Sequence, residues 1–381
     1  MRRSVTSGSP VERYGATGGL FHIGRGPLFV WNEFCVVKFP PRRDMNESIP
    51  IGKLPAEHLA CLLSKYVRSD ARLVVGARVG EDAAIIDMGD RYLVAKSDPI
   101  TFATDEIGWY VVNVNANDIV CAGATPRWFL STLLLPAGKT DVALVESIFE
   151  QMTEACNQLD VTLVGGHTEI THGLDRPVVV GHMLGEVAPD RLIATAGVRI
   201  GDDILLTKGV AVEATAIIAR EKGDELSRVF DAEYLRRCQD FLRNPGISVV
   251  RDAQVAQAAG KVHAMHDPTE GGLATGLWEM SQAAGVGLEI DESAIPILPE
   301  TSALCAQFSL DPLGVIASGA LLIACPPTET TTILAALQAA RIPATCLGRA
   351  VEPKQGCILT RSDSERPLPI FARDEIARLF E

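Results

Sequence analysis

Between Ile107 and Ala122 the sequence reads as a helix whose residues Val112, Val114, Ile119 and Val120 demand burial, yet Asn113, Asn117 and Asp118 lie among them. A helix that is apolar nearly all round has to be covered by other elements. Buried amides and carboxylates without partners cost about 1–3 kcal/mol each. These polar residues therefore either meet partners and serve a site, or form a solvated stripe at i, i+4 and i+5. Both readings stay open at this level.

The regular pattern begins at Pro55, with helical apolar spacing over Pro55–Arg68. Strands are expected over Ala83–Asp87, Tyr92–Ala95, Trp128–Leu135, Val161–Val164, Pro177–Leu184 and Ile204–Thr207, with a helix over Val142–Leu159. Helices dominate from there to about residue 285, and shorter elements follow. Ala188–Gly201 is a natural boundary, which predicts domains over 50–190 and 198–352 and a polar tail over 353–381. Residues 1–44 lack periodicity and carry seven Lys/Arg against three Asp/Glu; residues 1–45 are expected to be a disordered or non-native extension.

The 35 Lys+Arg against 48 Asp+Glu leave a net charge of −13. That argues against a nucleic-acid or anionic-membrane binder, which needs a basic face, but not against a nucleotide site. No apolar run of 18 residues is present, so no membrane helix is expected. The nine cysteines include no CxxC pair and point to neither a zinc cluster nor a disulfide framework. A reducing, cytoplasmic setting follows. Cys61, with Lys65 on the same helical face, reads as core.

Five short clusters pair an acid or small polar residue with glycine or a turn: Gly80-Glu-Asp-Ala-Ala84, Lys96-Ser-Asp98, Asn113 to Asp118, Gly165-Gly-His-Thr-Glu169 and His266-Asp-Pro-Thr-Glu-Gly-Gly-Leu273. The fourth follows a predicted strand and the fifth opens a helix. Carboxylates from separate segments can converge on Mg²⁺, a hard ion that prefers oxygen ligands. Glycine-flanked donors at turns and helix starts suit phosphate oxygens. No P-loop, GxGxxG or GxSxG motif is present, so a nucleotide site here has another architecture.

The order and spacing of these clusters resemble the AIR synthase (PurM-like) superfamily over roughly residues 50–350, nearest its hydrogenase-maturation (HypE) branch. The matching pieces include Asn117-Asp118-Ile-Val-Cys-Ala-Gly-Ala-Thr-Pro126, Gly165-Gly-His-Thr168 and Asp267-Pro-Thr-Glu-Gly-Gly-Leu-Ala-Thr275. Gly285-Val-Gly-Leu-Glu-Ile290 and Leu310-Asp-Pro-Leu-Gly314 add to the likeness with that branch. The resemblance implies an α+β fold in which an N-terminal domain pairs with its copy into a dimeric β-barrel beside a C-terminal α/β domain. It implies ATP and Mg²⁺ bound in clefts of a homodimer. By position, Asp82, Asp98, Asp118 and Asp267 become metal or phosphate-bridging carboxylates. Asn117, Gly165, Gly166, Thr168, Thr269, Gly271 and Gly272 become phosphate contacts.

Departures from that branch limit the carry-over. Its C-terminal cysteine, which carries the group being dehydrated, has no counterpart in Ala377-Arg-Leu-Phe-Glu381. Its lysine after Gly-Asp-Thr is Glu169 here, and the glutamate of its Asn-Glu-Gly-Lys motif falls on Ser318. Thiocarboxamide dehydration is therefore not expected. His167, where the superfamily's kinase branch has aspartate, is either a base near neutral pH or a hydrogen bonder behind one. Lys208, in the turn Lys208-Gly-Val-Ala-Val-Glu213, is either a charge-neutralising catalytic group or part of a solvated turn. The expectation is an ATP-dependent phosphotransferase or ligase-like enzyme acting on a small-molecule or protein-borne group. The alternatives are a HypE-like maturation factor and a non-catalytic nucleotide-binding partner of a maturation protein.

Overall fold

The computed structural model describes residues 52–78, 80–362 and 364–380, so the N-terminal extension expected over 1–45 lies outside the described residues. The helix α1 (Ala56–Tyr66) leads into a six-stranded sheet built from β1 (Leu73–Val75), β2 (Ala84–Asp87), β3 (Tyr92–Ile100), β4 (Thr125–Pro136), β5 (Thr162–Thr171) and β6 (Val178–Val187). Their order is β1-β2-β3-β6-β4-β5, antiparallel except for the parallel β4–β5 edge. Two helices, α2 (Ile107–Cys121) and α3 (Val142–Gln158), pack on each other, and α2 packs against β3, β4 and β6. Asp141 caps α3, its carboxylate accepting from Leu144 N–H at 2.8 Å, which meets one donor left over at the helix start.

Helix α2 settles the first question that the sequence poses: all fifteen of its residues are buried, Asn113, Asn115, Asn117 and Asp118 included. The solvated stripe is excluded. One side of α2 meets its own sheet, and another meets elements of the second sheet's layer.

That second sheet contains β7 (Asp203–Thr207), β8 (Ala264–His266), β9 (Gly287–Asp291), β10 (Leu322–Cys325), β11 (Ala344–Val351), β12 (Cys357–Arg361) and β13 (Ser364–Pro367), in the order β13-β12-β9-β11-β7-β10-β8. The helices α4 (Val212–Glu221), α5 (Gly223–Leu226), α6 (Ala232–Gln239), α7 (Val250–Ala259), α8 (Gly272–Ala284), α9 (Pro299–Gln307) and α10 (Pro327–Ala339) surround it. The short strands β7, β8 and β10 are almost wholly apolar and buried. The start of α8 requires glycine: at Gly272, with φ +67°, a Cβ would stand 2.5 Å from the Leu313 carbonyl oxygen.

Two sequence expectations change. Gly165 to Glu169 does not follow a strand but lies inside β5, because the β4–β5 pairing slips at Gly165 and continues to Thr171. Gly166 is what allows that close passage: a Cβ there would meet the Ser131 carbonyl oxygen at 1.9 Å. Cys61 is exposed rather than core, on the outer face of α1.

Polar links join the layers. The Asn117 amide donates to Ile247 O at 2.9 Å and accepts from Val249 N–H at 2.8 Å. Glu221 accepts from Thr104, Arg243 pairs with Glu106 at 2.9 Å, and Arg220 pairs with Asp105. At the C-terminal end, Phe380 stacks on Phe102, with ring centroids 6.1 Å apart.

Candidate functional site

The sheets and α2 bring the four candidate carboxylates together from four separate segments. Asp82 sits in the loop before β2, Asp98 on β3, Asp118 near the end of α2 and Asp267 just after β8. The Lys96 ammonium joins two of them, 2.9 Å from Asp118 and 3.2 Å from Asp98. His266 joins Asp82 to the second layer: its Nδ1 lies 2.9 Å from Asp82 and its Nε2 3.1 Å from Glu279. Thr195 donates to the same Asp82 carboxylate at 3.2 Å. Cys121, the last residue of α2, donates its thiol to Asp267 at 3.6 Å.

Asn115 holds Asp98 in place. Its amide accepts from the Asp98 N–H at 2.9 Å and donates to the Asp98 carbonyl at 3.2 Å. The opposite strand must carry glycine, since a Cβ at Gly181 would stand 2.3 Å from the Asn115 amide nitrogen.

The electrostatics are those of charge confined with too few counter-charges. Burial holds the Asp118 carboxyl well above the usual carboxylate range, and Asp267, Asp98 and Asp82 add to this against the pull of Lys96. Burial and then Asp82 push Asp267 up to about 7. Burial would lower His266, but Asp82 and Glu279 overcome it and hold the imidazole well above its ordinary value. Lys96 is likewise held high by Asp118, Asp98 and Asp82 against its burial. One oxygen each of Asp118 and Asp267 is buried without a hydrogen-bond partner. A buried carboxylate oxygen without a partner is costly, and a bound cation is one way to satisfy it.

The other residues expected at the site are placed differently. Both ends of the Asn117 amide are spent on the 247–249 backbone, so it latches the layers instead of facing a phosphate. The Gly271 N–H already donates to Asp374 at 2.7 Å, and the Gly272 N–H to Thr269 O at 3.0 Å. The anion expected at the start of α8 is thus supplied by the chain itself. Thr269 accepts from the exposed Lys53 at 3.4 Å. Lys208 is buried, with its ammonium donating to Gly246 O and Ser248 O and 3.4 Å from Asp252; it makes no ion pair with the four aspartates. Burial lowers it below the ordinary lysine range, against the pull of Asp252. His167 is exposed on β5, 3.4 Å from Glu169, and Gly165, Gly166 and Thr168 are exposed beside it.

The sequence reading assigned no role to Lys96, Asn115, Cys121, Glu279 or Asp374. His266 was visible only as a neighbour of Asp267. Pairings such as Asp82 with His266 span 184 positions and leave no local trace.

Comparison with known proteins places the chain. Residues 80–187 match the model of the AIR synthase related protein N-terminal domain, and residues 199–359 that of the C-terminal domain. The chain belongs to the AIR synthase related family. Within this family it is 32% identical over 300 residues to a carbamoyl dehydratase HypE of Rhodobacter capsulatus, covering 78% of this chain and 84% of that one. The structure of a HypE–HypF complex superposes with a TM-score of 0.67 at 19% identity, covering 81% of this chain and 97% of the other. That of a hydrogenase maturation protein HypE with ATP gives 0.64 at 21%, covering 83% and 95%. These likenesses show the AIR synthase related fold, a mixed α/β architecture with two sheets. No helix among the described residues is long and apolar enough to cross a membrane.

Proposed function

We propose that this AIR synthase related protein uses ATP to activate a small-molecule or protein-borne group by phosphoryl transfer, in hydrogenase maturation. The observation that carries the reading is the convergence of Asp82, Asp98, Asp118 and Asp267 around two partnerless buried carboxylate oxygens. An all-oxygen set of this charge fits a hard divalent cation such as Mg²⁺, which Asp98 and Asp118 would hold with support from Asp82 and Asp267. When bound, the ion would neutralise charge on the ATP phosphates.

The chain's own groups do the positioning. Asn115 fixes the backbone of Asp98, and His266, braced by Glu279, fixes Asp82. Lys96 offsets two of the four negative charges at close range. Lys53, half exposed, pairs loosely with Glu270 and Glu279 and donates to Thr269, and would turn from them towards an incoming phosphate.

We take the segments 50–190 and 198–352 as the two domains, with 353–381 as a tail, and the working protein as a homodimer. Support for pairing comes from β5: it is the edge of its sheet, and His167, Thr168, Glu169 and Ile170 are exposed on alternate faces. A second copy laid along this strand would bury Gly165, Gly166, Thr168 and His167 and draw them into a shared cleft. A maturation protein as partner is in keeping with the HypE–HypF complex.

A carrier arm is a poorer reading of the C-terminal end. Asp374 is pinned by three backbone N–H groups, and Ile376, Ala377 and Leu379 are buried.

Calorimetric titration of ATP with and without Mg²⁺, paired with ADP release, tests the reading. Asp82→Asn and Asp118→Asn are each expected to abolish Mg-dependent binding while the protein stays folded. Unchanged affinity in both variants would reject the site assignment. Binding without turnover, with a maturation partner present, would leave a nucleotide-binding subunit in place of an enzyme.

A further inference from the structure

One corner of the site has a chemistry that Mg²⁺ does not call for. An oxygen of Asp82, the Cys121 thiol and an oxygen of Asp267 all lie within 4.8 Å of one another, and the sulfur is 3.6 Å from the Asp267 oxygen. A tetrahedral ion with bonds of about 2.0–2.3 Å spaces its ligands roughly 3.3–3.8 Å apart, so one pair is already at coordination spacing. Movement of about an ångström would close the rest.

The remaining Asp267 oxygen is buried and has no hydrogen-bond partner, and Asp267 itself is only 2% exposed. It is the group with capacity to spare. Asp82, by contrast, is held in place by His266 and Thr195, and His266 in turn by Glu279. Such an outer arrangement orients a ligand and keeps it ionised. On the other side of the cluster, Lys96 already supplies a cation to Asp98 and Asp118. His266 does the same for Asp82, which leaves Asp267, beside the sulfur, as the acid of the four without an ion pair among the described residues.

We infer that Asp82, Cys121 and Asp267 form a site for a thiophilic divalent cation of the Zn²⁺ class, distinct in ligand type from the Mg²⁺ that accompanies ATP. Soft thiolate ligands select such ions over Mg²⁺. Coordination replaces the S–H bond of Cys121 by a sulfur–metal bond, and the proton leaves to solvent. The ligands come from the loop before β2, from the end of α2 and from the loop after β8, so the ion ties the first sheet's layer to the second's. This inference rests on the reading of the aspartates as cation ligands.

The test uses the full chain without nucleotide, titrated with Co²⁺ and followed in the near ultraviolet for thiolate-to-cobalt charge transfer. One equivalent is expected to produce the band, Zn²⁺ and Cd²⁺ to remove it, and a large excess of Mg²⁺ to leave it. Cys121→Ser, which keeps the side chain's size, loses the band and weakens Co²⁺ binding by more than the roughly 10–100-fold that outer partners of a metal site command. Absence of the band from the unsubstituted protein overturns the inference, as does the same band in Cys121→Ser, which would assign it to another cysteine. Mg-ATP binding measured on the same samples separates the two readings. A protein that binds Mg-ATP without a cobalt–thiolate band loses only this site, whereas the band without nucleotide binding removes only the proposed activity.

Discussion

Replacing Asn117 by alanine decides whether this residue serves the nucleotide or the fold. Its amide makes two hydrogen bonds to the backbone of a segment 130 and 132 positions away, to Ile247 O and from Val249 N–H. Asn117, Ile247 and Val249 are all fully buried. Truncation leaves one carbonyl and one N–H without partners, at about 1–3 kcal/mol each, so the variant loses about 2–6 kcal/mol. With a urea slope near ~3 kcal/mol/M, a loss in the middle of that range moves the midpoint down by about 1 M. Asn117→Asp is expected to be no better, because a carboxylate keeps the acceptor for Val249 but turns an anion towards the Ile247 carbonyl. The assay is urea unfolding of both variants, with ATP affinity measured by calorimetry under native conditions. A midpoint within ~0.2 M of the unsubstituted protein, together with a tenfold loss of ATP affinity, would refute the latch and restore Asn117 as a phosphate contact.

Two further outcomes follow from buried acids away from the aspartate cluster. Burial pushes Glu213 up to about 7, and one of its oxygens lacks a partner. Its folded-state value is raised, so its contribution to stability is full below the ordinary 4.5 and is lost as pH rises through about 7. Relative to Glu213→Gln, the protein is expected to lose about 3 kcal/mol between pH 4.5 and 8, at 1.36 kcal/mol per pH unit; parallel pH profiles in urea unfolding would contradict this. Asp374→Asn replaces one of the two oxygens that receive Gly271, Ile316 and Ile376 N–H groups, at a cost of about 1–3 kcal/mol. The C-terminal residues should then yield to carboxypeptidase faster; an unchanged rate would show that Ile376 and Leu379 hold the segment unaided.

The aspartates were legible because each sits in a short ordered motif beside glycine, proline or a second polar residue, and helix α2 because its apolar run is long. What surrounds them was not legible. Lys96 looks like any lysine at a strand end, and only the folding of β3 against α2 sets it between Asp98 and Asp118. His266 and Glu279 acquire meaning through Asp82, which comes from the other sheet's layer. The glycines of the fifth cluster suggested an open anion cradle, since nothing in the local sequence tells that Asp374, about a hundred residues later, returns to fill it. The fourth cluster was read as following a strand because Gly-Gly ordinarily marks a turn. In this fold the pair marks a slip in pairing, and the strand runs on.

That strand, β5, has a consequence for how the molecule behaves in time. Its residues from Gly165 to Ile170 are exposed, and only β4 offers it a ladder. Its outer row of amides meets water directly, and from Gly165 to Ile170 neither face gains appreciably from burial in the single chain. The strand therefore opens at a free energy far below that of β6, which is flanked on both sides, and its amide protons exchange early while those of β6 persist. A covering surface would reverse that ranking. The exchange rate of one edge strand, followed as the protein is concentrated, thus serves as a clock for how much of each molecule's life is spent alone.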